Sequence, residues 1–309
     1  MKKVFIDGSA GTTGLRIYER LAARPDLTLL TLPEDKRKDP GARREMLHTA
    51  DVAFLCLPDD AARESVALAE GSDAVIIDTS TAHRTSPLFA YGFPELPGSR
   101  ERIAASRRIA NPGCHASGVI ALVAPLVAAG LLAPDTPLAA FSLTGYSGGG
   151  KKMIADYESE GRDPLLDAPR AYGLSQSHKH LPEIAAVCGL ATLPVFCPVV
   201  APYYAGMEVT VPLHASQLRG SLADVRECLA AAYPAGMVTY SDADEGGFLS
   251  AAAMTGRDDM IVSAFGNDER MTLVSRFDNL GKGASGAAIQ NMNITLGVPE
   301  DTGLVKGGN

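Results

Sequence analysis

Over the first third of the chain, short apolar runs alternate with helical stripes, and a glycine-rich turn closes the first run. Beyond residue 114 the strand patterns alternate between turn signals instead. These observations predict an α/β, Rossmann-type dinucleotide-binding domain followed by an α+β catalytic domain with a mixed or antiparallel sheet. A length of 309 residues suits two domains. The expected division is 1–113 for the nucleotide domain, with a C-terminal helix in 284–309 packing back onto it, and 114–283 for the catalytic and oligomerisation domain.

Each element follows from its pattern. Lys3–Ile6 reads as a buried strand, and Leu15, Tyr18 and Leu21-Ala22 form a helical stripe after the turn. Leu27–Leu32 and Asp51–Leu57 are the next strands, the latter closed by Pro58. Ala61–Glu70 is a helix, Ala74–Ile77 a fourth strand, and Ile103–Ile109 leads toward Asn111-Pro112. Ala116–Ala129 then reads as a helix, and Leu138–Thr144 as a strand before the glycine cluster 148–150. Val195–Ala201, Gly206–Leu213, Met260–Ala264 and Met271–Phe277 supply the second sheet, and Ala284–Leu296 is a last helix. No internal repeat or low-complexity linker is visible.

Composition excludes several classes. Lys+Arg of 28 against Asp+Glu of 36 leaves a net charge of −8, unlike a nucleic-acid-coating surface or a polybasic membrane anchor. The longest apolar stretch, Val119 to Ala133, is broken by Pro125 and Gly130 and is too short to span a bilayer. With no secretory signal pattern at the start, the cytoplasm is the expected compartment. The five cysteines include no CxxC pair, so neither a zinc ribbon nor a disulfide framework is indicated.

Two stretches carry chemistry. Gly8-Ser9-Ala10-Gly11-Thr12-Thr13-Gly14 follows the first strand and opens a helix. Its form is GxxGxxG, and its logic is that of a pyrophosphate cradle: glycines allow close approach, a helix N-terminus offers free N–H groups, and Ser9, Thr12 and Thr13 add hydroxyls. Glu34 and Asp35, about twenty residues on, would suit a ribose 2′-OH, whereas Lys36-Arg37-Lys38 would suit a 2′-phosphate. The expectation leans to NADP(H), with Arg37 as the contact. In Asn111-Pro112-Gly113-Cys114-His115-Ala116-Ser117-Gly118, a tight loop places Cys114 at the start of a helix, where the dipole favours a thiolate. That is what a nucleophilic thiol requires. Cys56, Cys188, Cys197 and Cys228 lie within strand or helix patterns and read as packing thiols.

The glycine turn, Asp78-Thr79-Ser80-Thr81-Ala82-His83-Arg84 and the NPGC loop together resemble N-acetyl-γ-glutamyl-phosphate reductase of the arginine pathway. So do Thr144 to Lys152, His178-Lys179-His180-Leu181-Pro182-Glu183-Ile184, Asp278-Asn279-Leu280, Lys282-Gly283-Ala284 and Gln290-Asn291-Met292-Asn293. The resemblance runs from about residue 4 to 304, and the length and the DTSTAHR form are similar to the shorter subclass. It implies a glyceraldehyde-phosphate-dehydrogenase-like fold, an acyl-phosphate substrate and a cysteine thioester reduced by NADPH. By resemblance His178 is the acid/base and Glu183 its orienter, with His180 beside them. Asn291 would approach the nicotinamide, and Gly8, Ser9, Gly11, Thr12, Thr13, Gly14, Arg37, Pro58 and Ser147 complete the expected cofactor contacts. Arg84, Lys151, Arg170 and His180 are the candidates for substrate anions. No metal site is expected, since His178 and His180 lack a third clustered ligand. His115 ranks low as a base, because adjacent side chains diverge.

Other readings stay open at this point. A relative acting on N-acetyl-aminoadipyl or aspartyl phosphate would share every motif, since one methylene is worth only ~1–3 kcal/mol in a pocket. Gly145 to Lys152 nearly fits a phosphate-binding GxxxxGK[ST] loop, which would suit an ATP-dependent phosphotransferase. Lys152 stands where that loop needs a hydroxyl, and a cation there repels Mg²⁺. A non-catalytic NADP-binding regulator is the third reading. The expected assembly is a homo-oligomer, dimer or tetramer, with no nucleic-acid or membrane partner.

Overall fold

The computed structural model describes residues 1–307. The chain forms two compact units, Met1–Pro112 with Ala284–Leu304, and Gly113–Gly283 with the residues from Val305.

The first unit runs β1 (Lys2–Asp7), α1 (Thr12–Ala22), β2 (Leu27–Leu30), α2 (Pro40–Thr49), β3 (Val52–Leu55), α3 (Asp59–Leu68), β4 (Val75–Asp78), β5 (Ala90–Tyr91), α4 (Ser99–Ala105) and β6 (Arg108–Ala110). Its six strands are all parallel, in the order β2-β1-β3-β4-β6-β5. Every residue of β3 is buried, as a continuous apolar run must be when helices cover both faces. The predicted stripe of α1 is displaced. Gly14, Ile17 and Leu21 face the core, while Leu15 and Tyr18 are exposed. The helix uses a glycine as a contact residue, which apolar periodicity alone does not register. Ile103 lies on α4, which leads into β6, and Gly98 in the left-handed region starts that helix.

The second unit runs α5 (Cys114–Ala128), β7 (Ala139–Gly145), α6 (Gly150–Glu158), β8 (Arg170–Ala171), α7 (Leu181–Cys188), β9 (Val195–Ala201), β10 (Met207–His214), α8 (Leu222–Ala232), β11 (Val238–Tyr240), β12 (Met260–Gly266) and β13 (Arg270–Phe277). Its seven-stranded sheet is mixed, in the order β11-β12-β13-β10-β7-β9-β8. The pairs β11/β12 and β7/β9 are parallel and the others antiparallel. In β10, Met207, Val209, Val211 and Leu213 are buried, while Glu208, Thr210 and Pro212 face the half-open side. Phe141 and Val195, exposed, share that open side through the strand registers. The apolar helix α5 covers the other face, against β10 and β13, with α7 and α8 beside it. Gly118 permits this contact, because a Cβ there would overlap the Val209 side chain.

After β13 a π-turn over Gly281–Ser285 leads into α9 (Gly286–Leu296), which packs against α4 and β4 of the first unit. The chain end goes with the second unit. Val305 exchanges hydrogen bonds with Asp258, its N–H donating to Oδ2 at 2.8 Å and its carbonyl accepting the Asp258 N–H at 2.7 Å.

Candidate active site

In the first unit, β1 lies between β2 and β3, so the direction of winding reverses beside it. Open α/β sheets bind ligands at such a point, outside the carboxyl ends of the strands. The glycine turn occupies that position. Gly8 has φ +86°, and a Cβ on it would collide with the Cys56 carbonyl at the end of β3. Gly11 caps α1, accepting the Leu15 N–H at 2.9 Å and donating to the Gly8 carbonyl at 3.0 Å. A Cβ on Gly14 would lie 2.5 Å from the Gly8 oxygen. Ser9 and Thr13 are half-buried, and the Thr12 hydroxyl is buried with no hydrogen-bond partner. A tight cradle with an orphaned hydroxyl at a helix N-terminus fits a pyrophosphate.

The other first-unit candidates divide. Pro58 is exposed, directly ahead of α3. Lys36, Arg37 and Lys38 are exposed beyond β2, and Arg37 makes no ion pair among the described residues. Asn291 is fully buried, and its Nδ2 donates to the Gly92 carbonyl at 2.9 Å and to Asn111 Oδ1 at 3.2 Å. Its Oδ1 has no hydrogen-bond partner. Arg84 donates through Nε to the Asn111 carbonyl at 3.0 Å and through Nη2 to the Thr79 carbonyl at 3.1 Å. Both residues thus brace Asn111, three positions ahead of Cys114 in the chain. Sequence reasoning did not identify the Asp78–His83 pair. Buried Asp78 takes Ser80 N–H and O–H at 2.9 Å each and meets His83 Nδ1 at 2.6 Å, while the His83 ring stacks on Phe89.

In the second unit Cys114 is the first residue of α5, after an extended Gly113. The first N–H groups of a helix lack partners within it, and the dipole there favours negative charge. Glu183, buried on α7, accepts the Gly113 N–H at 2.8 Å, tying the HxHxPEI segment to the nucleophile loop. Gly283 lies against Cys114, where a Cβ would come 3.0 Å from that of the cysteine. Two other thiols are unsuited to attack: burial pushes Cys56 and Cys188 up to about 12.

His115 is the hub of this site, a role its place next to Cys114 concealed. Its ring lies within a cluster of rings. His178, His180, Phe196 and Tyr172 surround it at 5.7, 5.5, 5.4 and 6.1 Å between centroids. Its Nδ1 meets Ser142 Oγ and its Nε2 meets the Tyr172 hydroxyl, each at 2.6 Å. Burial, reinforced by His178 and Lys179, pushes His115 down to about 3, so it is neutral. His178 is lowered for the same reason, chiefly by burial and then by Lys179. Its Nδ1 accepts the His180 N–H at 3.3 Å, which leaves Nε2 to carry the proton of the neutral ring. His180 is buried at the cap of α7.

The remaining second-unit candidates have definite surroundings. Ser147 is buried and accepts Asn279 Nδ2 at 3.0 Å, while Asn279 Oδ1 takes the Gly206 N–H at 2.9 Å. Lys151 is exposed in the first turn of α6, and its side chain makes no hydrogen bond among the described residues. Arg170 on β8 lies over the Tyr157 ring at 5.5 Å and donates to its hydroxyl at 3.3 Å. No group of three or more His, Cys, Asp or Glu side chains among the described residues is arranged to hold a metal ion. No helix among them is long and apolar enough to cross a membrane.

A glycine cradle on a parallel sheet and a cysteine at the head of a helix on a mixed sheet are the two halves of the semialdehyde dehydrogenase fold. Two family models match accordingly, the semialdehyde dehydrogenase NAD binding domain over residues 3–106 and its dimerisation domain over 114–279. The N-acetyl-gamma-glutamyl-phosphate reductase 2 of Nostoc sp. is 45% identical, over 98% of this chain and 99% of the relative. That of Brucella ovis, an N-acetyl-gamma-glutamyl-phosphate reductase, is 47% identical over 96% and 99%. The chain belongs to the N-acetyl-γ-glutamyl-phosphate reductase family. Its fold is shared with aspartate semialdehyde dehydrogenase II of Vibrio cholerae, at a TM-score of 0.74 and 16% identity over 96% of this chain and 98% of that one. An aspartate semialdehyde dehydrogenase of Candida albicans, solved with NADP, gives 0.68 at 15% identity over 96% and 99%.

Proposed function

We propose that the chain reduces N-acetyl-γ-glutamyl phosphate to N-acetyl-glutamate 5-semialdehyde and phosphate, using NADPH, as a step of arginine biosynthesis. One observation carries the reading: Cys114 heads a buried helix whose cap is pinned by Glu183 within the HxHxPEI segment.

The Cys114 thiolate attacks the acyl carbon, a C–S bond forms, the bond to the phosphate oxygen breaks, and inorganic phosphate leaves. The N–H groups of the first turn of α5, that of Cys114 included, offer donors to the oxygen that gains charge. Gly8, Ser9, Gly11, Thr12, Thr13 and Gly14 would hold the pyrophosphate, Arg37 the 2′-phosphate, and Pro58, Ser147 and Asn291 the rest of NADPH. Bound there, the cofactor supplies the hydride that takes the thioester to the aldehyde level. His178, once it has taken up the proton of the Cys114 thiol, passes it to the oxyanion and takes it back as the C–S bond breaks. Its lowered basicity keeps it neutral, and so ready to accept that proton, in neutral solution. Arg84, Lys151, Arg170 and His180 are the groups that meet the substrate's carboxylate and phosphate. The open, partly apolar face of the second sheet would pair with another copy, which the dimerisation-domain match supports.

The substrate assignment is tested by kcat/KM for the N-acetyl-glutamate, N-acetyl-aminoadipate and aspartate semialdehydes, each oxidised in the presence of phosphate and NADP. A preference for either of the last two contradicts it. His178→Asn is expected to cost more activity than His180→Asn, and equal small losses would remove His178 from the acid/base role.

A further inference from the structure

Asp7 is the last residue of β1 and stands directly ahead of Gly8 and the glycine turn. Strand alternation puts Val4 and Ile6 on one face, with Ile17 and Leu21, and Phe5 on the other, with Leu47 and Leu55. Asp7 follows Phe5 onto that second face, where an apolar residue would extend the core. A carboxylate is buried there instead. Its Oδ2 accepts the Ser65 hydroxyl of α3 at 2.6 Å and Arg43 Nε of α2 at 3.1 Å. Arg43 is itself buried, and it is the only cation that meets Asp7 among the described residues. Its Nη2 donates to the Ser65 oxygen and, at 3.3 Å, to the Ala61 carbonyl, while Nη1 donates to Glu64 at the surface at 2.6 Å.

Burying a carboxylate with a guanidinium gains little over an apolar pair of the same size, so packing alone does not account for this network. Its position does. β1 carries the glycine turn, α2 follows the loop that holds Arg37, and α3 begins just past Pro58. These are the segments of the first unit assigned to the cofactor, and Arg43 bonds to the end of the strand and to the helix past Pro58 from within the helix past Arg37. The end of β1 is also fixed on β3, since the Asp7 carbonyl accepts the Cys56 N–H at 2.8 Å. A carboxylate one residue ahead of a diphosphate cradle carries the wrong sign. Uncompensated in a buried setting, it would repel the ligand.

We infer that Arg43 is a positioning residue for the dinucleotide: it cancels the charge of Asp7 and holds the end of β1 behind the glycine turn. The N–H groups of the turn then meet a pyrophosphate with no opposing carboxylate. Arg43 acts through Asp7 and not by contact with the ligand, and Ser65 completes the arrangement by donating to the same carboxylate oxygen. The inference rests on the glycine turn being the pyrophosphate cradle.

Fluorescence titration with NADPH and with NADH, beside thermal unfolding, tests it. In Arg43→Met, an apolar side chain of similar length, both cofactors are expected to bind about tenfold more weakly, since both carry the pyrophosphate. Unchanged binding in the folded variant, or a loss confined to NADPH, overturns the inference; the second would place the effect at the 2′-phosphate. Asp7→Asn keeps the shape and an oxygen for Ser65 and Arg43, and it is expected to bind both cofactors at least as tightly as the wild type. Weaker binding there contradicts the inference whether or not Arg43→Met folds. The double variant, Asp7→Asn with Arg43→Met, is expected to recover most of the affinity lost in Arg43→Met alone. A merely structural role for Arg43 would give no recovery, because the double variant lacks the same guanidinium bonds. Wild-type affinity in Gly14→Ala would remove the cradle itself, whereas failed recovery removes only the role of Arg43.

Discussion

Replacing Gly14 by alanine separates the packing of the cofactor loop from its conformation. Gly14 lies inside α1, so alanine meets no left-handed backbone and gains ~1 kcal/mol of helix propensity. Against this, its Cβ would lie 2.5 Å from the Gly8 oxygen, 3.0 Å from the Ser9 Cα and 3.1 Å from the Gly8 carbonyl carbon. All three are backbone atoms and cannot rotate away. The turn must lift from the helix by about an ångström to restore contact distance, at an overpacking cost of ~1–3 kcal/mol. The net loss of stability is therefore ~1–2 kcal/mol or less. The larger effect falls on binding, because the displaced atoms are those that cradle the pyrophosphate. Weakened hydrogen bonds worth about 1.4 kcal/mol cost tenfold in affinity, so NADPH is expected to bind at least tenfold more weakly. Gly11→Ala is the control: its Cβ meets nothing closer than 3.5 Å, and only a poorer helix cap, ~1 kcal/mol, is expected in the free protein. If Gly11→Ala also loses affinity, the clash is with the cofactor itself. Fluorescence titration with NADPH beside thermal unfolding reads both quantities. Wild-type affinity in Gly14→Ala would refute the cradle and leave the turn a structural one.

Other outcomes follow from the same geometry. Arg37→Ala is expected to raise KM for NADPH by at least tenfold, from one lost charge-assisted contact of ~1.5–3 kcal/mol, and to leave KM for NADH unchanged; equal effects on both would dismiss a 2′-phosphate contact. Glu183→Ala should destabilise the fold by ~1–3 kcal/mol, because the Gly113 N–H loses its buried acceptor, whereas Glu183→Gln keeps an accepting oxygen and should lose less in chemical denaturation. His115 is lowered in the folded state from 6.5 to about 3, so the folded protein binds fewer protons than the unfolded chain between those values. Stability is then complete above about 6.5 and falls with pH toward about 3, by on the order of 5 kcal/mol, and that pH dependence should largely disappear in a folded His115→Gln protein.

The elements that carry local signals were legible in the sequence. The glycine turn and the NPGC loop each place their chemistry within a few residues, where turn geometry and a helix start decide it. The displaced stripe of α1 shows the limit of periodicity, since Gly14 contributes by having no side chain. The ring cluster around His115 was hidden for a different reason. Ser142 and Tyr172 stand 27 and 57 residues from His115, brought to it by β7 and by the segment after β8. No spacing rule connects such positions. Asn291 likewise reads as an isolated amide until α9 places it beside Gly92 and Asn111. Ser147 reads as part of a glycine loop near cofactor or substrate, and the partner its hydroxyl accepts from, Asn279, is one that only the sheet topology brings near.

The central claim is that the thiol of Cys114 forms the covalent bond to the acyl group. Its most direct test is oxidation of N-acetyl-glutamate 5-semialdehyde with NADP and phosphate, comparing the wild-type protein with Cys114→Ala. The variant is expected to retain the fold and NADPH binding and to lose phosphate-dependent turnover entirely. Turnover at the wild-type rate in a folded Cys114→Ala protein would contradict the account.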